Sequence, residues 1–179
     1  MKTVSTKRTE TPRIYVADLA AYTAGYLHGK WIDATLDIEE VNAEIAKMLA
    51  ASPVSDPEEY AIHDYDGFYE GALGEYPNLE EVLRIGRFID EHGRIAAKLV
   101  SHFGGDIDEA ERALEEAYRG VYRSVADFAQ ELTEETSKIP EHLENYIDYE
   151  AMGRDLEMGG DIFTIETSYD EVHIFWSNY

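Results

Sequence analysis

The sequence predicts an α+β protein made of three small domains in a row, and three successive patterns along the chain predict it. Strand-like runs fill the first third, a helical period of three and four residues dominates the middle, and strand-like runs return only near the end. The division that follows is a flexible lead-in at 1–12, an N-terminal β-β-α-β domain at 13–76, a helical middle domain at 77–118 and a C-terminal α+β domain at 119–179.

The lead-in is rich in Thr, Lys and Arg and ends at Pro12, a composition expected of a disordered terminus. Ile14 to Leu19 reads as a first strand and Tyr26 to Ile32 as a second, with Gly25 allowing the bend between them. From Asp37 the period becomes helical: Ile38, Val41, Ile45, Met48 and Leu49 recur at three and four residues, Asp37 can cap the start, and Ser52 with Pro53 ends the pattern. Tyr60 to Tyr65 makes a third strand. Gly67, Gly71, Gly74 and Pro77 mark a loop. Helical patterns follow at Leu79, Val82, Leu83 and Ile85 and at Ile95, Ala96, Leu99 and Val100, broken by Gly104 and Gly105. A further helix is predicted from Asp106 to about Tyr118, capped by Asp106 or Asp108. A longer one carries Val121, Val125, Phe128, Ala129 and Leu132 on one face and leads to Ile139 and Pro140. After Gly159 and Gly160, Ile162 to Glu166 and Val172 to Trp176 read as a hairpin turning around Ser168 to Asp170.

Charge is the chain's most unusual property, with 38 Asp and Glu against 15 Lys and Arg in 179 residues. Residues 1–13 hold four bases and one acid, so the remainder carries 37 acids and 11 bases, a net of −26. Such a body repels nucleic acid, so its expected partners are cations, basic proteins or a protein groove built to hold a polyanion. The chain is nonetheless 44% hydrophobic and 12% aromatic, too apolar for an acidic disordered segment. It has no Cys, which excludes disulfides, thiolate metal sites and a Cys nucleophile. No secretory leader or membrane-length apolar run stands out, so a cytoplasmic protein off the membrane is expected.

The acids recur in groups: Glu39, Glu40 and Glu44; Glu58 and Glu59; Glu80 and Glu81; Asp106, Asp108, Glu109, Glu111, Glu115 and Glu116; and Glu131, Glu134 and Glu135. A single group is an ordinary solvated helix face, but the recurrence favours a surface whose role is to be negative. Asp106, Asp108 and Glu116 partly match a calcium loop, yet Glu111 stands where a turn-forming Gly is needed. His28, His63, His92, His102, His142 and His173 lack zinc-ligand spacing, and no phosphate-binding Gly loop or Ser nucleophile elbow is present. His63 beside Asp64 and Asp66 offers acid and base groups, but such neighbours arise by chance at this acid content. No catalytic residue, metal or cofactor is expected. Halophilic adaptation gives a similar surface to proteins of any function, and six Lys against nine Arg does not exclude it.

Three stretches narrow the reading: Ile14 to Leu19 with Tyr22, Gly25, Leu27, Gly29, Trp31 and Ile32; Tyr60 to Tyr65; and Pro140, Leu143, Asn145, Tyr146, Ile147, Asp148, Tyr149, Ala151, Gly153, Arg154, Asp155 and Leu156. Together they resemble the ArdA antirestriction family, carried on plasmids and transposons. The resemblance implies three small domains, an elongated curved homodimer, and mimicry of bent B-form DNA that blocks type I restriction-modification enzymes at their methyltransferase core. The segment from about Leu132 to Tyr146 resembles the family's antirestriction motif, near the dimer contact in that family. Leu132, Ile139, Pro140, Leu143 and Tyr146 are therefore expected to pack or dimerise, and the grouped acids to face the target. Duplex DNA presents about one charge per 1.7 Å of axis, so a dimer body carrying twice −26 matches roughly 26 base pairs. Two alternatives stay open: an acidic binding module for other basic or DNA-binding proteins, and a halophilic enzyme of unknown chemistry.

Overall fold

The computed structural model describes residues 11–73 and 78–179. The expected lead-in up to residue 10, the loop markers Gly74 and Pro77 and the boundary placed between 76 and 77 lie outside the described residues. The fold is α+β, with two small antiparallel sheets, and it divides into two compact units, one ending at Ile107 and one beginning at Asp108.

The first unit runs β1 (Arg13–Asp18), α1 (Leu19–Thr23), β2 (Gly29–Asp33), α2 (Ile38–Ala50), β3 (Tyr60–Asp66), α3 (Leu79–His92) and α4 (Arg94–His102). Its sheet has the order β2-β1-β3, with Tyr15 opposite Trp31 on one side and Asp64 on the other. Ile14, Val16 and Ile32 are buried together with Val41, Ile45 and Met48, the apolar stripe of α2. The period that predicts α2 holds, and so does its cap: Asp37 Oδ1 accepts the Glu40 N–H at 2.9 Å while the Glu40 carboxylate takes the Asp37 N–H, a complete capping box. Gly93, at φ +71°, separates α3 from α4. Gly86 lets α3 approach closely, since a Cβ there would lie 2.8 Å from the Ala34 carbonyl oxygen.

Two expectations for this unit are corrected. The second strand begins at Gly29 and not at Tyr26, and the first strand ends at Asp18, because Asp18 turns the chain into a short helix. Its Oδ1 accepts the Ala21 N–H at 3.1 Å, and its own N–H donates to the His28 carbonyl at 3.0 Å. The residues between are spent on a turn that strand propensity alone does not reveal.

The second unit opens on α5 (Ile107–Arg112), which starts one residue before the boundary and widens into a π-helical turn, Ala113–Ala117. Then come β4 (Tyr118–Tyr122), α6 (Val125–Thr136), a 3₁₀ turn (Glu141–Tyr146), α7 (Tyr149–Met158), β5 (Ile162–Ser168) and β6 (Glu171–Trp176). The sheet order is β4-β6-β5, all antiparallel. The C-terminal hairpin is as predicted. Val121, however, belongs to β4 and not to the long helix, which starts only at Val125 behind its Ser124 cap. Pairing with β6 and Gly120 at φ +125° break the helical register that the Val121, Val125 and Phe128 spacing suggests.

α7 is an addition to the predicted elements. Asp148 Oδ1 caps it through the Ala151 N–H at 2.9 Å. Phe128, Ile162, Val172 and Ile174 form the core on one face of the sheet, with Tyr122, Val125, Leu132, Leu156 and Trp176 packed against it. Gly153 brings α7 onto α6, since a Cβ would meet the Val125 backbone at 3.1 Å. Alternate residues of β6, His173 and Phe175, are buried too. Phe175 stacks on Phe163, with ring centroids 4.8 Å apart.

Candidate functional site

Helix caps and first turns decide where many of the grouped acids sit. Asp37 and Asn78 cap α2 and α3, which places Glu39 with Glu40 and Glu80 with Glu81 in first turns, where the positive end of the helix dipole favours a carboxylate. Glu58 and Glu59 lead into β3. Asp108, Glu109 and Glu111 lie on α5, with Asp106 just before it, and Glu115 and Glu116 on the π turn that ends the same helical run. Glu131, Glu134 and Glu135 lie in the second half of α6.

None of these sixteen acids is buried: twelve are exposed, and only Glu44, Glu81, Glu109 and Glu111 are half-buried. They decorate several elements of both units. Several also serve the fold. Glu44 accepts from Lys30 and from Lys47, the latter at 2.6 Å, and Lys30 foremost holds its carboxyl down to about 2. Glu109 pairs with Arg112 at 2.7 Å. Glu131 accepts the Tyr122 hydroxyl at 2.9 Å; burial first, and then this carboxylate, push that phenol up to about 12.

Further exposed acids lie outside the sequence groups. Glu141 and Glu144 on the 3₁₀ turn, and Glu150, Asp155 and Glu157 on α7, are spaced along helical turns and seldom adjacent. Their signal is period. Asp90 and Glu91 near the end of α3 form an adjacent exposed pair, visible as a pair in the sequence but outside the expected groups.

The residues of the expected packing or dimer segment behave differently from one another. Leu132 packs against the second unit's core and Ile139 is half-buried, whereas Pro140 and Leu143 are exposed and Tyr146 is 84% exposed. Elsewhere, His63 makes an edge contact with the Tyr22 ring at 5.1 Å, and Asp66 is engaged by Arg13. His173 is buried and hydrogen-bonded on both nitrogens, to the Tyr118 hydroxyl at 2.8 Å and to Thr167 at 3.0 Å, while Thr167 donates to Glu171 at 3.0 Å. Burial lowers the pKa of His173.

Among the described residues, no group of three or more His, Asp or Glu is arranged to hold a metal ion, and no helix is long and apolar enough to cross a membrane. What the arrangement offers is a dispersed negative surface on a scaffold whose buried residues are almost all apolar. A family model described as antirestriction protein (ArdA) matches residues 14–171. No curated protein matches the chain.

Proposed function

Because the chain belongs to the ArdA antirestriction family, we propose that its dispersed acids imitate the phosphates of B-form DNA and occupy the DNA groove of type I restriction-modification enzymes. The observation that carries this reading is the exposure of the grouped acids: twelve of sixteen are exposed, none is buried, and they are spread over both units. A groove that gains affinity from Lys and Arg contacts to phosphate, without reading bases, discriminates poorly against carboxylates at similar spacing. Long-range attraction also speeds encounter. The protein then competes with DNA for the methyltransferase core and carries out no chemistry of its own. The three-domain division, the elongated curved shape, the homodimer contact through the segment from about Leu132 to Tyr146 and a cytoplasmic site of action belong to the same proposal and rest on the family.

The test is competition. Purified protein is expected to displace a labelled duplex from a type I methyltransferase, with affinity falling as salt rises. Unchanged DNA binding at saturating protein overturns the reading. A need for high salt to fold points to halophily in its place.

A further inference from the structure

The end of α1 and the turn that leads to β2 expose three large apolar side chains in six residues: Leu27 at 92%, Tyr22 at 56% and Tyr26 at 54%. This turn is tightly held. Ala24 N–H donates to the Ala20 carbonyl at 3.1 Å, Gly25 N–H to Tyr22 at 3.0 Å and Tyr26 N–H to Ala21 at 2.9 Å, while Gly25 adopts φ +87°. Beneath it lies Asp18, fully buried, its Oδ1 capping α1 and its carboxyl held below the usual range foremost by a hydrogen bond from the Ser52 side chain. Tyr22 is further braced by His63, ring to ring at 5.1 Å.

The surroundings select the partner. The Leu19 N–H donates to the Glu59 carbonyl at 3.1 Å, which brings the exposed Glu58 and Glu59 beside the start of α1, and exposed Asp64 follows His63 in β3. The nearby cation Lys30 is engaged by Glu44. Two copies of an acid-rimmed apolar patch repel each other, whereas a basic surface bearing an apolar pocket matches both components. We infer that Tyr22, Tyr26 and Leu27 form a hydrophobic anchor that inserts into an apolar pocket on the basic target enzyme. The inference rests on the proposed function and adds to it a contact that duplex phosphates do not make. Rigid aromatic and aliphatic side chains inside a charged rim are the usual form of a binding hot spot.

The experiment uses the full chain as Leu27→Ala, Tyr26→Ala and the double variant. Affinity for a type I methyltransferase is measured by DNA competition at two salt concentrations, with sedimentation of the free protein in parallel. The anchor is expected to show as a loss of about tenfold or more in the double variant, with the salt slope of the wild type and no change in melting or oligomeric state. Wild-type competition with undiminished affinity in all three variants overturns the anchor and leaves the mimic standing. A wild type that fails to displace DNA overturns both. A change in oligomeric state assigns the patch to a contact between copies and also overturns the anchor. Because Leu27 and Tyr26 are exposed, their truncation leaves the core intact, and unaltered circular dichroism verifies this.

Discussion

In the first unit the grouped acids of α2 and α3 sit mostly where helices welcome them, although Asp90 and Glu91 close α3, and in the second many sit where helices do not. α2 carries Glu39 and Glu40 in its first turn and Lys47 in its last; α3 carries Glu80 and Glu81 in its first and His92 in its last. α6 has no base in its last turn and gathers Glu131, Glu134 and Glu135 toward that end, and α7 likewise ends without a base after Asp155 and Glu157. A carboxylate near a helix C-terminus faces the negative end of the dipole, at about 0.3–1 kcal/mol each in low salt. The first-turn acids of α2 and α3 therefore serve fold and surface together. The late acids of α6 and α7 face the unfavourable end of the dipole, a term set against the hydrogen bonds that Glu131 accepts from Tyr122, Glu134 from Gln130 and Glu157 from Thr164.

The largest expected effects test how tightly each unit packs its helices. Gly86→Val and Gly153→Val should each cost about 1–3 kcal/mol by forcing apart α3 and the Ala34 turn, or α7 and α6. Gly86 should cost more, because its Cβ would meet a carbonyl oxygen at 2.8 Å against 3.1 Å for Gly153. Denaturant unfolding measures both.

Next come the two acid groups. Replacing Glu131, Glu134 and Glu135 together by Gln should weaken competition with DNA about tenfold, taking about 0.5 kcal/mol for each exposed contact. It should also raise the melting temperature. The matching change of Glu39, Glu40 and Glu44 should weaken competition but lower melting, because it loosens the capping box and the Lys30 and Lys47 contacts. Melting shifts of the same sign in the two triple variants would break the distinction between the units. Asp37→Ala alone should cost about 1 kcal/mol through the lost cap.

A smaller effect depends on pH and belongs to the second unit. The folded state lowers the pKa of His173 from 6.5, chiefly by burial, so the unfolded chain binds the proton more readily. Stability from this residue is present above that value and is lost as pH falls below it. Glu171 acts in the same direction further down: hydrogen bonds from Ser168 and Thr167 lower its pKa from 4.5, so its contribution also disappears with acid. Denaturation of the wild type and His173→Gln at about pH 7.5 and about pH 5.5 should show the wild type losing more on acidification. The smallest effect should be that of Glu111→Gln, under about twofold in competition, since distributed charge leaves no single acid decisive. Complete loss of inhibition in that variant, with the fold retained, would sink the distributed-charge reading.

Much of the fold was legible because its signals are local. The Asp37 cap, the three-and-four spacing of α2 and the hairpin after Gly160 each depend on residues a few positions apart. The acid groups of the candidate surface were legible for the same reason, and their exposure follows from the cost of burying a charge. Strand β4 was not legible. Val121, Val125 and Phe128 fit a helical face by spacing, and only pairing of Tyr118 with Phe175 and Tyr122 with Val172 makes a strand of Tyr118–Tyr122. Asp18 reads as an ordinary strand-end residue, yet it is buried and caps α1.

By itself the sequence determined the charge excess and its spread, the apolar content that makes folding possible, the helix caps and the α+β alternation. Tertiary structure decided which acids are engaged, as when Lys30 reaches Glu44 fourteen residues away. It also decided that Leu27 stays in solvent while Asp18 does not. The physical reason is range: caps and periodicity are set by neighbours three or four residues apart, whereas sheet pairing, burial and long-range ion pairs depend on which distant segments the chain brings together.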